Sequence, residues 1–422
     1  MSGQPGAADA VEIESRAQAT VAVSPATYPP PRVIELIEYQ PRSVALSDMS
    51  QDEGRLLWEK YKRQVEIDEP GFKTGPGWRL TAQGWVGYIP LSRDLGIRLL
   101  PKVVLGNVFR MLEYAFRLEN FWFLDGLIDC QSLEDFYERL ANVLAKRILD
   151  RARRGYYRAY LGQSDHLPFV RGRLDMGHVL RAPWSPKPFC QFEEHTADIE
   201  ENQILTWTLW RITQGGICSE RVLPTVRQAF RSLQGVTSLT PAPAARCVGR
   251  LYNRLNDDYR PLHALSRFFL EQSGSSHHIG DRQIMPFLID MSRLFELFVA
   301  EWLTQKLPSK WTLKRQEEVP LGQDRHFTYQ IDLVLYNNAT GEVHAVIDTK
   351  YKAVDKPGMD DVQQVHAYAH SKGARQAVLV YPVAPNIPLD ETKGGIHLRS
   401  LAFDLAGDLE GAGGHFLTAL LG

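Results

Sequence analysis

The sequence predicts a multidomain protein of mixed α/β and α+β class, with a β-rich and helical N-terminal region ahead of a compact C-terminal α/β core. Three observations carry that expectation. The chain has 422 residues, 44% of them hydrophobic, enough for two or three packed domains. Short apolar runs between turn formers dominate up to Pro101, and helical spacing takes over after it. From Phe287 onward the order reads helix, three strands, helix, strand.

Residues 1–31 read as a disordered tail, rich in Ala, Ser and Pro and closing on Tyr28-Pro-Pro-Pro-Arg32. Residues 32–253 form the expected N-terminal region, and 254–422 the C-terminal domain. Val33–Glu38, Trp78–Pro90 and Leu95–Pro101 read as strands. Helices are expected over Val104–Phe116, Leu133–Tyr160, residues 196–214, Pro224–Leu233 and Tyr259–Gln272. Thr196 is the expected cap of the third, and Gly215-Gly216 its end. The core then runs through a helix over Phe287–Leu307 and a strand over Thr312–Glu318. Two hairpin arms follow, Thr328–Tyr336 and Val343–Lys352, around the turn formers Asn337–Glu342. A helix over Asp360–Ser371 and strands over Ala374–Tyr381 and Ile396–Phe403 complete it.

Composition narrows the function classes. A formal net charge of −2 gives no global basic field, so any DNA contact must come from local patches. Cys130, Cys190, Cys218 and Cys247 are far apart and form no CxxC pair, which argues against structural zinc and a disulfide framework. No apolar stretch is long enough to span a bilayer, and Met1–Ala10 lacks the pattern of a signal peptide. A cytoplasmic protein with no membrane partner is expected. With no GxxxxGK[ST] phosphate loop, the chain is not expected to bind nucleotide by that route.

The chemistry concentrates on the hairpin. Asp348 and Lys350 are two apart on a strand and share a face, and the hairpin brings Asp332 beside them. Asp332 interrupts an apolar run between Ile331 and Leu333, where a solvated decoration is out of place. Two carboxylates, with the backbone carbonyl of Thr349, suit Mg2+, with Mn2+ as its substitute. Such an ion offsets the charge of a phosphodiester and acidifies water. Lys350 then stabilises charge or orients the attacking water. Glu296 lies inside an apolar helical stretch, so its carboxylate needs a partner: the metal, directly or through water, or Arg293. Gln364 and Tyr368, four apart on the following helix, share a face that can turn toward nucleic acid, and Lys352 lies near it. A separate basic cluster gathers Lys146, Arg147, Arg151, Arg153, Arg154 and Arg158, with Tyr156, Tyr157 and Tyr160 nearby. Phosphate contacts through Arg151 and Arg154, an acidic partner, and a plain solvated face all remain open for it.

Asp332-x15-Asp348-Thr349-Lys350, preceded by the Glu296 helix and followed by Gln364-x3-Tyr368, resembles the PD-(D/E)xK nuclease superfamily, with Ile331 in place of the usual proline. Leu294–Val299, Asp348–Lys352 and Asp361–Ala369 are similar to the McrC family, the nuclease subunits of McrBC-type modification-dependent restriction systems. So are Leu100–Lys102, Met111–Ala115, Arg171–Asp175 and Asp198–Leu205, so the resemblance runs from about residue 33 to the C-terminus. It implies a Mg2+-dependent DNA endonuclease of phage defence, acting on double-stranded DNA that carries modified cytosine such as 5-methylcytosine. It implies Asp332, Asp348, Lys350 and Glu296 as the catalytic set. It also implies that the N-terminal region docks on an AAA+ GTPase of the McrB type and stimulates GTP hydrolysis. Arg171 and Arg173 are candidates for that stimulation, or braces for Asp175. A non-cleaving adaptor that activates the motor, and a stand-alone exonuclease or junction-processing enzyme, are the alternatives.

Overall fold

A computed structural model describes residues 32–422 apart from 73, 93, 117–129, 131, 273–276, 280–281, 285 and 322–326. The tail expected over residues 1–31 lies outside the described residues.

The chain opens with β1 (Arg32–Ile37), β2 (Arg42–Val44), α1 (Gln51–Tyr61), β3 (Val65–Asp68), β4 (Trp78–Ala82), β5 (Trp85–Pro90) and β6 (Leu95–Leu100). A reciprocal bond between Ser50 and Glu53 starts α1. Strands β2, β4 and β3 form a small antiparallel sheet. In the second sheet β1 runs parallel to β6, so their C-terminal ends lie together. Ile34, Leu36, Ile97 and Leu99 point inward and pack with Leu57, Tyr61 and Trp78.

The next layer holds α2 (Leu105–Ala115), α3 (Leu133–Arg154), β7 (Ala159–His166), β8 (Arg173–Leu174), α4 (Met176–Arg181), β9 (Phe189–Thr196), α5 (Glu200–Gly215), α6 (Leu223–Gln234) and α7 (Tyr259–Glu271). Phe109, Phe136, Leu140, Leu209 and Phe268 share its core. The helix expected to reach Tyr160 stops at Gly155, whose φ of 87° ends helical geometry. The chain then continues as β7, which joins β9 and β8 in an antiparallel arm. The helix expected from residue 196 begins at Glu200. Thr196 instead ends β9, its hydroxyl accepting from the Asp198 N–H at 3.0 Å.

The C-terminal part contains β10 (His277–Ile279), β11 (Arg282–Ile284), β12 (Phe287–Asp290), α8 (Met291–Lys306), β13 (Trp311–Leu321), β14 (Phe327–Asn337), β15 (Val343–Thr349), α9 (Met359–Lys372), β16 (Gln376–Tyr381), β17 (Asp390–Lys393), β18 (Ile396–Ala402) and α10 (Leu409–Leu421). The helix expected from Phe287 starts only at Met291. Phe287–Asp290 pairs with Trp85–Tyr88 of β5 and completes the N-terminal sheet. Gly87 permits the approach, because a Cβ there would strike the Phe287 carbonyl. Both β12 and α7, which packs on α3 and α5, lie beyond the boundary expected at residue 253.

A six-stranded sheet in the order β13-β14-β15-β16-β18-β17 forms the centre of this part. The hairpin arms are present as β14 and β15, closed by the Gly341 N–H donating to Asn337 O at 2.8 Å. Strands β15, β16 and β18 are parallel. Phe295, Trp302 and Phe416, from α8 and α10, pack in one core with Leu333, Ile347 and Val380. Val365 and Ala369 of α9 pack with Val334, Val346 and Leu379 on the opposite face. No described helix is long and apolar enough to cross a membrane.

Candidate active site

Pairing between β14 and β15 places Leu333 opposite Ile347; one step further, Asp332 and Asp348 sit side by side where the strands part. The Thr349 N–H donates to Asp332 Oδ2 at 3.3 Å, which ties the two strand ends together. Asp348 is 3% exposed, held between β14 and β16. The Lys350 ammonium lies 2.8 Å from Asp348 Oδ2, an ion pair that partners this buried oxygen. Gln364 Oε1 on α9 accepts from Lys350 Nζ at 3.2 Å, and Gln364 Nε2 donates to the Tyr368 hydroxyl at 2.8 Å.

Glu296 reaches the same space from α8. Gln316 donates to its carboxylate, while Arg293 turns to Glu271 at 3.5 Å. Gln316 has a φ of 48°, the left-handed region that a non-glycine residue seldom adopts, in mid-strand and opposite Asp332. The backbone is thus strained at the point where it holds Glu296.

The electrostatics tie the acids together. Burial, with the charges of Asp332 and Asp348, pushes the Glu296 carboxyl up to about 7. Burial, with the charges of Asp332 and Asp361, pushes Asp348 up to about 6, against the pull of Lys350. Asp332 is raised by burial as well. Burial alone would lower the Lys350 ammonium, but Asp348, Asp361 and Asp332 carry it above its ordinary value. Lys350 therefore stays charged.

Of the expected site residues, Asp332, Asp348, Lys350, Glu296 and Gln364 come together, with Tyr368 behind Gln364. Lys352 stands at the rim, 2.5 Å from Asp361. Arg151 and Arg154 belong to α3 instead, where both reach Asp258. Asp361 was not singled out by sequence as a site residue; it lies 3.9 Å from Lys350, and its place one turn before Gln364 was the available signal. Nothing in the sequence marks Gln316. Among the described residues, no three His, Cys, Asp or Glu side chains close on a single ion. Mg2+ keeps several waters, so Asp332 and Asp348, two hard carboxylates whose charges act on each other, still fit such a cation.

The family model for McrBC 5-methylcytosine restriction system components matches residues 80–382. Among solved structures, the chain is similar to one in the refined half-complex from the tetradecameric assembly of Thermococcus gammatolerans McrB AAA+ hexamers with bound McrC. The TM-score is 0.52 at 16% identity, over 92% of this chain and 99% of that one. A chain of the Thermococcus gammatolerans McrBC complex aligns at a TM-score of 0.41 and 17% identity, over 66% of this chain and 88% of that one. No curated protein matches.

Proposed function

The chain belongs to the McrBC family of 5-methylcytosine restriction system components, on the McrC side, and from that premise we propose that it is the Mg2+-dependent endonuclease subunit of a restriction system. Its substrate would be double-stranded DNA carrying modified cytosine, met in the cytoplasm. The observation that carries this reading is the gathering of Asp332, Asp348 and Glu296 in one space, with Lys350 paired to the buried Asp348 at 2.8 Å.

Asp332, Asp348 and the Thr349 carbonyl are the groups that would hold Mg2+, with Glu296 reaching it through water. When bound, that ion supplies positive charge against the phosphate oxygens and acidifies water. The chain's own residues do the rest. Lys350 keeps its proton, so its part is to stabilise negative charge on the attacked phosphate rather than to act as a base. Gln364 holds Lys350 from α9, and the Thr349 N–H fixes Asp332 beside Asp348.

The N-terminal region would dock on an AAA+ GTPase of the McrB type and stimulate GTP hydrolysis. The arm of β7, β8, α4 and β9 supports this. Tyr160, Phe169, Val170, Met176, Leu180 and Trp184 are exposed on it, and apolar side chains gathered in water mark a partner surface. Arg171 stands on the same arm over the Phe192 ring. Asp175 is occupied by His178 and Gln191.

The test is cleavage of modified DNA by the chain with its GTPase partner, GTP and Mg2+. Wild type is expected to cut and Asp348→Ala to leave the DNA intact. Equal cutting by both overturns the nuclease reading. GTPase stimulation by a wild type that never cuts would make the chain an adaptor.

A further inference from the structure

Glu38, Lys102 and Tyr351 come from three distant stretches of sequence and meet in one buried cluster. Tyr351 directly follows Lys350 and is 4% exposed. Its hydroxyl donates to Glu38 Oε2 at 3.2 Å, and the same oxygen accepts from the Lys102 backbone N–H at 3.0 Å. Glu38 lies just past β1 and Lys102 just past β6, the two parallel strands whose ends coincide. The Lys102 ammonium sits 4.7 Å from the centre of the Tyr351 ring and 4.8 Å from that of Tyr39. Phe295, the residue before Glu296, meets the Tyr351 ring at 6.0 Å. One side chain therefore touches the N-terminal sheet and the helix that carries Glu296, while its backbone continues from Lys350.

Two features argue that this contact does more than fill space. Glu38 is 2% exposed, and its Oε1 makes no hydrogen bond among the described residues. A buried carboxylate oxygen without a donor costs stability, while the other oxygen of the same group serves two donors, Tyr351 and Lys102. Tyr39, beside it, holds a φ of 59°, a strained value for a tyrosine. Unsatisfied polarity and backbone strain fall together at a joint between two domains.

We propose that Glu38 and Lys102 are positioning residues for the centre at Asp348 and Lys350. Through Tyr351, the N-terminal sheet sets the angle at which Lys350 enters the site. A partner that engages the N-terminal region thereby reaches the cutting centre through this joint. The inference rests on the nuclease reading above.

The experiment measures DNA cleavage, GTPase stimulation and melting for Glu38→Met and Tyr351→Phe, each assembled with the GTPase partner, GTP and Mg2+. Cleavage at saturating DNA is expected to fall about tenfold or more in both, because small misplacements of a catalytic group are costly. The half-saturating DNA concentration and GTPase stimulation stay within about twofold of wild type, which separates positioning from lost binding. Glu38→Gln, which keeps an acceptor for Tyr351 and Lys102, recovers most of the rate that Glu38→Met loses. If Glu38→Met does not fold, Tyr351→Phe decides, since it removes a single oxygen. Cleavage within about twofold of wild type in the folded variants overturns the proposal. Asp348→Ala, run alongside, separates the two ideas. If it cuts like wild type, the nuclease reading falls and takes the joint with it. If it is dead while Tyr351→Phe cuts normally, only the joint falls.

Discussion

The acidic cluster where β14 and β15 part and the basic cluster at the end of α3 are equally dense in charge, yet they treat it oppositely. On α3, Arg151 is 16% exposed, bound to Asp258 at 3.2 Å and stacked over the Tyr259 ring. Arg154 reaches the same Asp258, and Arg153 pairs with Asp150. Tyr259 in turn donates to Asn202 and accepts from the Tyr157 N–H. Arg151, Arg153 and Arg154 are thus paired with aspartates, and the Arg151–Asp258 pair braces α3 against α7. Around the hairpin, Asp332, Asp348 and Glu296 share one space; Asp332 raises the proton affinity of both Asp348 and Glu296, and Asp348 raises that of Glu296. Charge density alone does not mark a site; charge that the fold leaves uncompensated does.

That contrast can be broken, beginning with the largest effect. Asp332→Ala or Lys350→Met should lower cleavage by about a hundredfold or more, the scale of losing one charge-stabilising group. Arg151→Met should leave cleavage by the folded protein near wild type; parallel losses would erase the distinction between the clusters.

The second test concerns His263, in the same helical layer as Arg151. It is fully buried, with Tyr252 OH 2.8 Å from Nδ1 and the Glu201 carbonyl 3.0 Å from Nε2, so the neutral ring carries its proton on Nε2. Burial, with Arg250 nearby and only partly offset by Glu201 and Glu200, pushes it down to about 4. Between that value and the ordinary one near 6.5, the unfolded chain binds the extra proton. Stability therefore falls as pH drops through that window, by up to about 3 kcal/mol, and is level above it. Denaturant melts of wild type and His263→Gln across pH 4.5–7 check this; an unchanged slope in the variant would assign the acid sensitivity elsewhere.

A third, smaller effect is expected at Arg151 itself. Arg151→Met leaves Asp258 with Arg154 alone and removes the cation from the Tyr259 ring, and should cost about 1 kcal/mol of stability without altering the salt dependence of DNA binding. Loss of DNA affinity at full stability would instead restore its role as a phosphate contact. The smallest change belongs to Lys352, 41% exposed at the site rim. Lys352→Met should weaken DNA binding a fewfold and reduce the salt slope by about one. No change in that slope would place DNA away from this rim.

The hairpin was legible in sequence because two apolar runs flank a tight cluster of turn formers, and register then follows from the turn. Asp332, Asp348 and Lys350 came with it. Glu296 was legible as an acid in an apolar helix, though Arg293 was as good a partner on paper as a metal. Elsewhere the signals were local and the outcome was not. Phe287–Asp290 continues the apolar run of α8, and only pairing with β5 makes it a strand. Gly155 ends α3, but the basic and aromatic residues after it continue a helical pattern that the local sequence does not break. The cap at Ser50 and Glu53 announced α1 and went unused. The cluster of Glu38, Lys102 and Tyr351 spans over three hundred residues, and no spacing rule reaches that far.

The crossing of β12 into the neighbouring sheet has a practical side. Its four residues complete the sheet beside β5, and the last of them, Asp290, then accepts from Ser292 and Arg293 to start α8. A cut before Met291 would take from α8 its Asp290 cap, and a cut before Phe287 would leave β5, on the other piece, with a bare apolar edge that invites another copy to pair. The C-terminal part is therefore no detachable cassette: wherever the chain is divided near residue 290, either the neighbouring sheet loses a strand or α8 loses its start.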